Sequence, residues 1–304
     1  MTANGPTPLE RAPHDLAPGF ELWLKREDVH ELGSFKWRGA LPVLEELSDR
    51  GTTEVVTVST GNHGVATAWA ATRLGLRAVV HVPEGASGAK LALLEELGAD
   101  VRVGGVDLDE AKELAVAAAE APFFEDGAER AQYEGYRAIA AEILDQLDTP
   151  PTAVVVPVGN GALLGGIGLE ICARSPDTAR IGAVPAAAPV MAQSMEVGEP
   201  VPCDRCETFA DGLAVRVAIP LAIAVLGEVA TRLVLVSERA IARGVGRYAS
   251  AGIRAEGAAG AGLAALDELE LPDGPVVVIV TGCNIDDEVH ARAVERPETF
   301  SEAR

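Results

Sequence analysis

Lys36 lies between a Gly-Ser-Phe lead-in and an Arg-Gly-Ala exit in LGSFKWRGA, residues 32–40, with an aromatic ring on each side. The chain is only 4% aromatic and has 25 Lys and Arg together, so this grouping draws on scarce residues. A lysine amine becomes a nucleophile when apolar surroundings disfavour its charge, and Phe35 and Trp37 can supply part of such surroundings. The plainer reading is an exposed lysine near a helix start.

Three polar, glycine-containing segments offer partners for such an amine. In VSTGNHGVA, residues 58–66, a strand ends near Ser59, Gly61 permits a tight turn, and a helix starts near Asn62. Its outward N–H groups form a cradle for a carboxylate or phosphate. A Ser/Thr/Asn cap that merely joins strand to helix explains the same residues. VVVPVGNGALLGG, residues 154–166, is a second cradle. It fits a dinucleotide fingerprint poorly: the spacing is G-x-G-x-x-x-G, and the next strand lacks an acidic residue for a ribose. A loop holding one phosphate through backbone amides survives that objection, as does a close-packed turn. VVVIVTGCNID, residues 276–286, ends a buried strand on Thr281, whose hydroxyl can serve one hydrogen bond. A turn capped by Asn284 or Asp286 is the alternative. A reactive amine, two anion cradles and a hydroxyl are together the parts a pyridoxal phosphate site needs.

The elements that must position these groups alternate along the chain. EVVTVS, RAVVHVP, VRVGG, PFFE, AVVVPVG, RIGAVP, RLVLVS and PVVVIVTG read as strands. Helical stretches lie between many of them, including NHGVATAWAATRLG, GAKLALLEELG, DLDEAKELAVAAAEA and AERAQYEGYRAIAAEILDQL, the first two ended by Gly75 and Gly98. Short Val-rich strands alternating with helices predict an α/β fold of largely parallel sheets covered by helices on both faces, with ligands at strand C-terminal ends. No composition boundary or linker divides the chain, so a second lobe is expected to be inserted rather than appended.

Composition narrows the function. The 304 residues are 48% hydrophobic, enough for a sizeable core. A net charge of -21 argues against nucleic acid and anionic membrane surfaces as partners. No signal-like start or long apolar run is seen, so the reading is a soluble cytoplasmic protein. Cys172, Cys203, Cys206 and Cys283 show no disulfide ladder, and the lone CDRC pair lacks the second pair a zinc site needs.

TPLERA, LWLKREDVHELGSFKWRGA, STGNHGVATAWAA, PVGNGALLGGI, DGLAVR and TGCNID, in that order, resemble the fold type II pyridoxal-phosphate enzymes, in the threonine/serine dehydratase and serine racemase branch. The resemblance spans nearly the whole chain. It implies a two-lobed fold, with residues 1–35 plus 137–304 as the larger cofactor-binding lobe and 36–136 as a smaller inserted lobe carrying the substrate-carboxylate loop. It implies Lys36 as the Schiff-base lysine, with Phe35 beside the cofactor. The substrate carboxylate would rest on Ser59, Thr60, Gly61, Asn62 and His63, with Asn62 also near the cofactor's ring oxygen. Gly159, Asn160, Gly161, Ala162 and Leu163 would hold the phosphate, and Thr281 would meet the pyridine nitrogen. His63 is a further candidate for the phosphate, and Glu256 resembles a residue near the cofactor, with helix capping as its plainer use. The implied reaction is β-elimination: freed Lys36 takes the Cα proton, the β-hydroxyl leaves as water, and a 2-oxo acid and ammonia result. The substrate is then L-threonine, L-serine or a related amino acid, and the assembly a homodimer.

Departures from the family pattern bear on these expectations. The phosphate loop reads Gly159-Asn160-Gly161-Ala162-Leu163 where the family commonly has four glycines. Asn tolerates positive φ best among non-glycine residues, which predicts a loop of unchanged shape with its amides available. Thr60 keeps a hydroxyl where racemases of this branch tend to carry Ser as an acid/base, so Thr60 is a candidate catalytic residue and racemisation stays open. Threonine synthase-like β-replacement and a non-catalytic binding protein are further alternatives. Val184, Ala188 and Val190 offer no carboxylate where the family binds a divalent cation, so no metal is expected there. With little sequence after TGCNID, no separate regulatory module is expected either.

Overall fold

The computed structural model describes residues 5–203 and 206–303. Its chain folds into two compact units. The smaller, Lys36–Gly135, is inserted into the larger, which runs to Phe35 and resumes at Tyr136.

The larger unit is built on a six-stranded sheet. Its strands are β1 (Leu9–Arg11), β2 (Glu21–Arg26), β6 (Ala153–Pro157), β7 (Ala179–Pro185), β8 (Arg232–Val236) and β9 (Pro275–Val280), in the order β1-β2-β9-β6-β7-β8. β1 pairs antiparallel with β2, and the remaining pairings are parallel. Every residue of β6 is buried, as expected for a Val-rich strand covered on both faces. From β6 the chain steps outward to β7 and β8, then returns as β9 on the other side of β6. That reversal makes β6 and β9 a topological switch point, so the loops after these strands open where ligands collect in such sheets.

Its helices are α6 (Ala162–Arg174), α7 (Val190–Val197), α8 (Pro220–Val229), α9 (Glu238–Ser250), α10 (Gly257–Ala265) and α11 (Asp287–Glu295). Every residue of α10 is buried, in keeping with its unbroken run of Ala, Gly and Leu. It lies in the core formed by Val155, Val278, Tyr248 and Leu263. Helix α10 approaches α9 closely enough that a Cβ on Gly244 would stand 2.3 Å from the Gly260 carbonyl oxygen.

The smaller unit holds a parallel sheet in the order β3 (Glu54–Val58), β4 (Arg77–Val82) and β5 (Asp100–Val103). Its helices are α1 (Trp37–Asp49), α2 (Asn62–Leu74), α3 (Gly88–Glu96) and α4 (Leu108–Ala118), and α5 (Arg130–Gln146) begins within it. Gly75 and Gly98, at φ 70° and 86°, stand just beyond α2 and α3. PFFE, expected as a strand, forms only an isolated bridge between Phe123 and Val56, extended by Phe124 N–H donating to Val56 C=O at 2.7 Å. Charged Glu125 and Asp126 follow at once and leave the sheet. Beyond its start, helix α1 is hidden in the sequence by Gly39 and Pro42. Pro42 has no N–H for the Arg38 carbonyl, and α5 crosses there at Gly135, whose added Cβ would overlap that oxygen.

Candidate active site

Lys36 takes the N-cap position of α1, and its side chain is 12% exposed rather than extended into water. Its Nζ donates to Asp126 Oδ2 at 2.5 Å. Asp126 Oδ1 accepts from Gln132 Nε2 at 2.5 Å, and Gln132 Oε1 accepts the Gly127 N–H at 2.7 Å, so the carboxylate is held from both oxygens. Sequence reading missed Asp126 and Gln132. Asp126 stands 90 residues from Lys36, beyond the reach of any periodic pattern. Its one local signal was the acidic Glu-Asp-Gly turn before α5.

His63, on the first turn of α2, brings a second group to this cluster. Thr57 Oγ1 donates to Phe124 C=O at 2.8 Å, so His63 Nε2, at 3.0 Å from that oxygen, is the nitrogen that carries the proton. Nδ1 then presents a lone pair 3.7 Å from Asp126 Oδ1. Burial holds His63 below its ordinary range, opposed by the charge of Asp126 and reinforced by that of Lys36. Burial alone would push the Asp126 carboxyl up. The charge of Lys36, with the hydrogen bonds from Lys36 and Gln132, overrides it and holds Asp126 well below the usual carboxylate range.

The turn before α2 is not side-chain capped. Gly61 is the N-cap, and the helical ladder begins with Val65 N–H donating to Gly61 C=O at 3.2 Å. Ser59 Oγ accepts from Gly61 N–H at 3.1 Å within the turn, so the Ser/Thr/Asn capping alternative does not account for these residues. A Cβ on Gly61 would meet nothing within 4 Å, which leaves this backbone open to a ligand. Thr60 and Asn62 are half-buried beside it.

In the larger unit, the segments 159–163 and 281–284 follow the adjacent strands β6 and β9. Gly161, at φ 89°, is the N-cap of α6. No non-glycine residue among those described has positive φ, so Asn160 does not take the conformation expected of it. It instead accepts the Ala162 N–H on Oδ1 at 3.1 Å, engaging one of the amides expected to be available. Thr281 is 1% exposed, and its hydroxyl donates to Glu256 Oε1 at 2.8 Å. Glu256 holds the N-cap position of α10 but makes no side-chain cap bond, and Asp286 likewise makes none at α11. Asn284 donates to Leu32 C=O at 2.8 Å. Phe35 N–H donates to Thr281 C=O at 3.0 Å, and the Phe35 ring packs on Tyr136 at 5.2 Å. This backbone bond ties the end of β9 to the residue immediately before Lys36.

A family model described as pyridoxal-phosphate dependent enzyme matches residues 1–282. The chain belongs to the pyridoxal-phosphate dependent enzymes. It is 35% identical to the biosynthetic L-threonine dehydratase of Mycobacterium tuberculosis over 307 residues, covering 96% of this chain and 71% of that one. It is 33% identical to the L-threonine ammonia-lyase of Thermotoga maritima over 277 residues, covering 88% and 68%. Among solved structures, the processed form of threonine deaminase isoform 2 from Solanum lycopersicum superposes with a TM-score of 0.90 at 29% identity, covering 96% of this chain and 88% of that one.

As a pyridoxal-phosphate dependent enzyme the chain takes pyridoxal 5'-phosphate, and its residues suit that group chemically. A primary amine on Lys36 matches an aldehyde. The α6 ladder begins at Gly165 N–H on Gly161 C=O, 2.9 Å, so the first-turn amides lie ahead of the helical ladder, as would suit an anion, and one of them is taken by Asn160. The buried Thr281 hydroxyl would suit a ring nitrogen once its hydrogen, given to Glu256 Oε1 here, turned to it. Val184, Ala188 and Val190 are buried apolar side chains. Cys203 and Cys206 are half-buried and in no disulfide, and the two residues between them lie outside those described. Among the described residues no helix is long and apolar enough to cross a membrane.

Proposed function

We propose that this chain is an ammonia-lyase that eliminates water from L-threonine or L-serine and yields the 2-oxo acid and ammonia. The observation that carries the reading is its 35% identity to a threonine dehydratase across 96% of its length.

Bound pyridoxal phosphate supplies a sink for the electron pair left at Cα when the proton departs. Lys36 would hold the cofactor through Nζ, and as a free amine that nitrogen would take the Cα proton. That pair would become the Cα–Cβ double bond as the Cβ–O bond breaks and the hydroxyl takes up a proton to leave as water; the enamine so formed would tautomerise to an imine, and water adding to it would give the 2-oxo acid and ammonia. The amides of Ser59, Thr60, Gly61, Asn62 and His63 receive the substrate carboxylate, and Asn62 also serves the cofactor's ring oxygen. Gly159, Asn160, Gly161, Ala162 and Leu163 would hold the phosphate, and Phe35 and Thr281 would serve the ring and its nitrogen. In this reading 1–35 plus 137–304 is the cofactor lobe and 36–136 the substrate lobe, in a cytoplasmic homodimer.

Thr60 favours a second reading, racemisation, because it keeps a half-buried hydroxyl in the turn assigned to the substrate. Incubation with a panel of β-hydroxy amino acids, following 2-oxo acid release and chiral inversion together, tests both. Release of 2-oxo acid from L-threonine or L-serine is expected, and inversion without release replaces elimination by racemisation. Lys36→Ala is expected to lose both turnover and the absorbance band of the lysine-cofactor linkage. A band that persists in this variant would show that another residue carries the cofactor.

A further inference from the structure

The Lys36–Asp126 contact lies wholly within the smaller unit and has no part in the elimination just derived. A lysine side chain has four rotatable bonds and finds its place through whatever its terminal nitrogen meets. Here the nitrogen meets a carboxylate fixed by two further bonds. Gln132 Nε2 holds Oδ1 at 2.5 Å, and the Gly127 N–H holds Gln132 at 2.7 Å. Tyr133, the next residue on α5, donates its hydroxyl to Gly127 C=O at 2.8 Å and so fixes the turn that carries Asp126.

The charged and titratable groups around the pair leave the attraction in place. His63 turns a lone pair toward Asp126 and is kept neutral by burial. Glu125 is turned to its own partner, Lys112. The Tyr133 phenol, raised to well above its ordinary value by burial and the nearby Asp126 charge, stays protonated. Lys36 is therefore the cation that Asp126 meets.

We infer that Asp126, clamped by Gln132, is the positioning residue for the reactive amine: it receives Lys36 Nζ whenever that nitrogen is not covalently engaged and aims it for the next bond. The inference rests on the reading of Lys36 as the cofactor lysine. Covalent engagement removes the ammonium and leaves the carboxylate with the Gln132 amide, a poorer partner for a charge in a partly dried site. Release returns the nitrogen to Asp126 as an amine that donates a hydrogen bond, and uptake of the Cα proton then makes the contact an ion pair. Asp126 thus confines the nitrogen to one location, from which it bonds once its extra proton has passed to solvent, the kind of orientation that raises a reaction rate without changing substrate affinity.

The test compares wild type, Asp126→Asn and Asp126→Glu. Stripped protein is given pyridoxal phosphate and the rate of growth of the linkage band is followed. In parallel, affinity is measured for pyridoxine 5'-phosphate, which has the phosphate and ring but no aldehyde. Asp126→Asn is expected to slow linkage at least tenfold, to lower kcat by a similar factor at unchanged KM, and to leave the affinity for the analogue unchanged. Asp126→Glu, which keeps the charge one methylene farther out, is expected to recover part of both rates. Unchanged linkage rate and kcat in Asp126→Asn would overturn the inference, and so would equal losses in analogue affinity and rate, which mark a merely structural residue. Should Asp126→Asn fail to fold by circular dichroism, Gln132→Met removes the clamp while keeping the carboxylate. It is expected to slow linkage several-fold, and an unchanged rate there overturns the inference too. If wild type forms no band that Lys36→Ala abolishes, the reading of Lys36 fails instead, before the role of Asp126 is reached.

Discussion

Asn160 illustrates how one side chain can occupy a backbone donor at a helix start: its Oδ1 accepts the Ala162 N–H, an amide that the proposed phosphate site would also use. A bound phosphate must share or displace that bond, which is worth about 0.5–1.5 kcal/mol net. Asn160→Gly is therefore expected to bind pyridoxal phosphate about three- to tenfold more tightly, measured by titrating the linkage band. Equal or weaker binding would show that the side chain helps to hold the phosphate. The turning conformation itself belongs to Gly161, whose φ is 89° and whose Cβ would stand 2.8 Å from Leu226 Cδ1. A dipeptide of Asn and Gly does not reveal by itself which of the two turns, because both tolerate positive φ.

At the scale of elements, the contact between α9 and α10 depends on paired glycines. A Cβ on Gly244 would come 2.3 Å from the Gly260 carbonyl oxygen, and one on Gly260 would come 2.7 Å from the Ile241 carbonyl oxygen. Backbone atoms cannot swing aside as a side chain can, so the helices themselves would have to separate. Gly244→Ala is expected to destabilise the protein by about 3 kcal/mol, at the upper end of overpacking costs, read from urea unfolding. Gly246→Ala is the control in the same helix. Its Cβ finds nothing nearer than 3.8 Å, so the better helix propensity of alanine should make it neutral or stabilising by up to about 1 kcal/mol. Helices with clear ends, such as α2 before Gly75, were legible in the sequence. Of helix α1 only a start near Lys36 was read; that it runs on through Gly39 and Pro42 is seen with the packing of α5 on the Arg38 carbonyl.

For the whole molecule, acid is the condition that matters most. The folded state keeps His63 neutral, its pKa lowered chiefly by burial, while in the unfolded chain it titrates near its ordinary value of about 6.5. A group with a depressed folded pKa contributes stability that is fully present above the unfolded value and is lost as pH falls through it. The unfolded state then binds the extra proton, at up to about 1.4 kcal/mol per pH unit. Asp126, also depressed, adds its own loss only at lower pH, below the ordinary carboxylate range. Between pH 7 and 5 the unfolding free energy of wild type is expected to fall more steeply than that of His63→Gln, measured by denaturant titration at each pH. Parallel slopes would show that His63 is protonated in the folded protein. The comparison between variants isolates this residue from the net charge of -21, which both share at pH 7 where His63 is neutral.

The sequence by itself determined what is local. Runs of valine became strands, glycines ended helices, and the turns that follow β3, β6 and β9 were marked by residues that permit sharp backbone reversal. Lys36 stood out because its neighbours are rare in this chain. The tertiary structure alone decided what Lys36 touches and the strand order that sets β9 beside β6. The reason is physical. Periodicity and turn chemistry act over a few residues, whereas an ion pair across 90 positions and a strand pairing across more than 100 exist only after distant segments have been brought together.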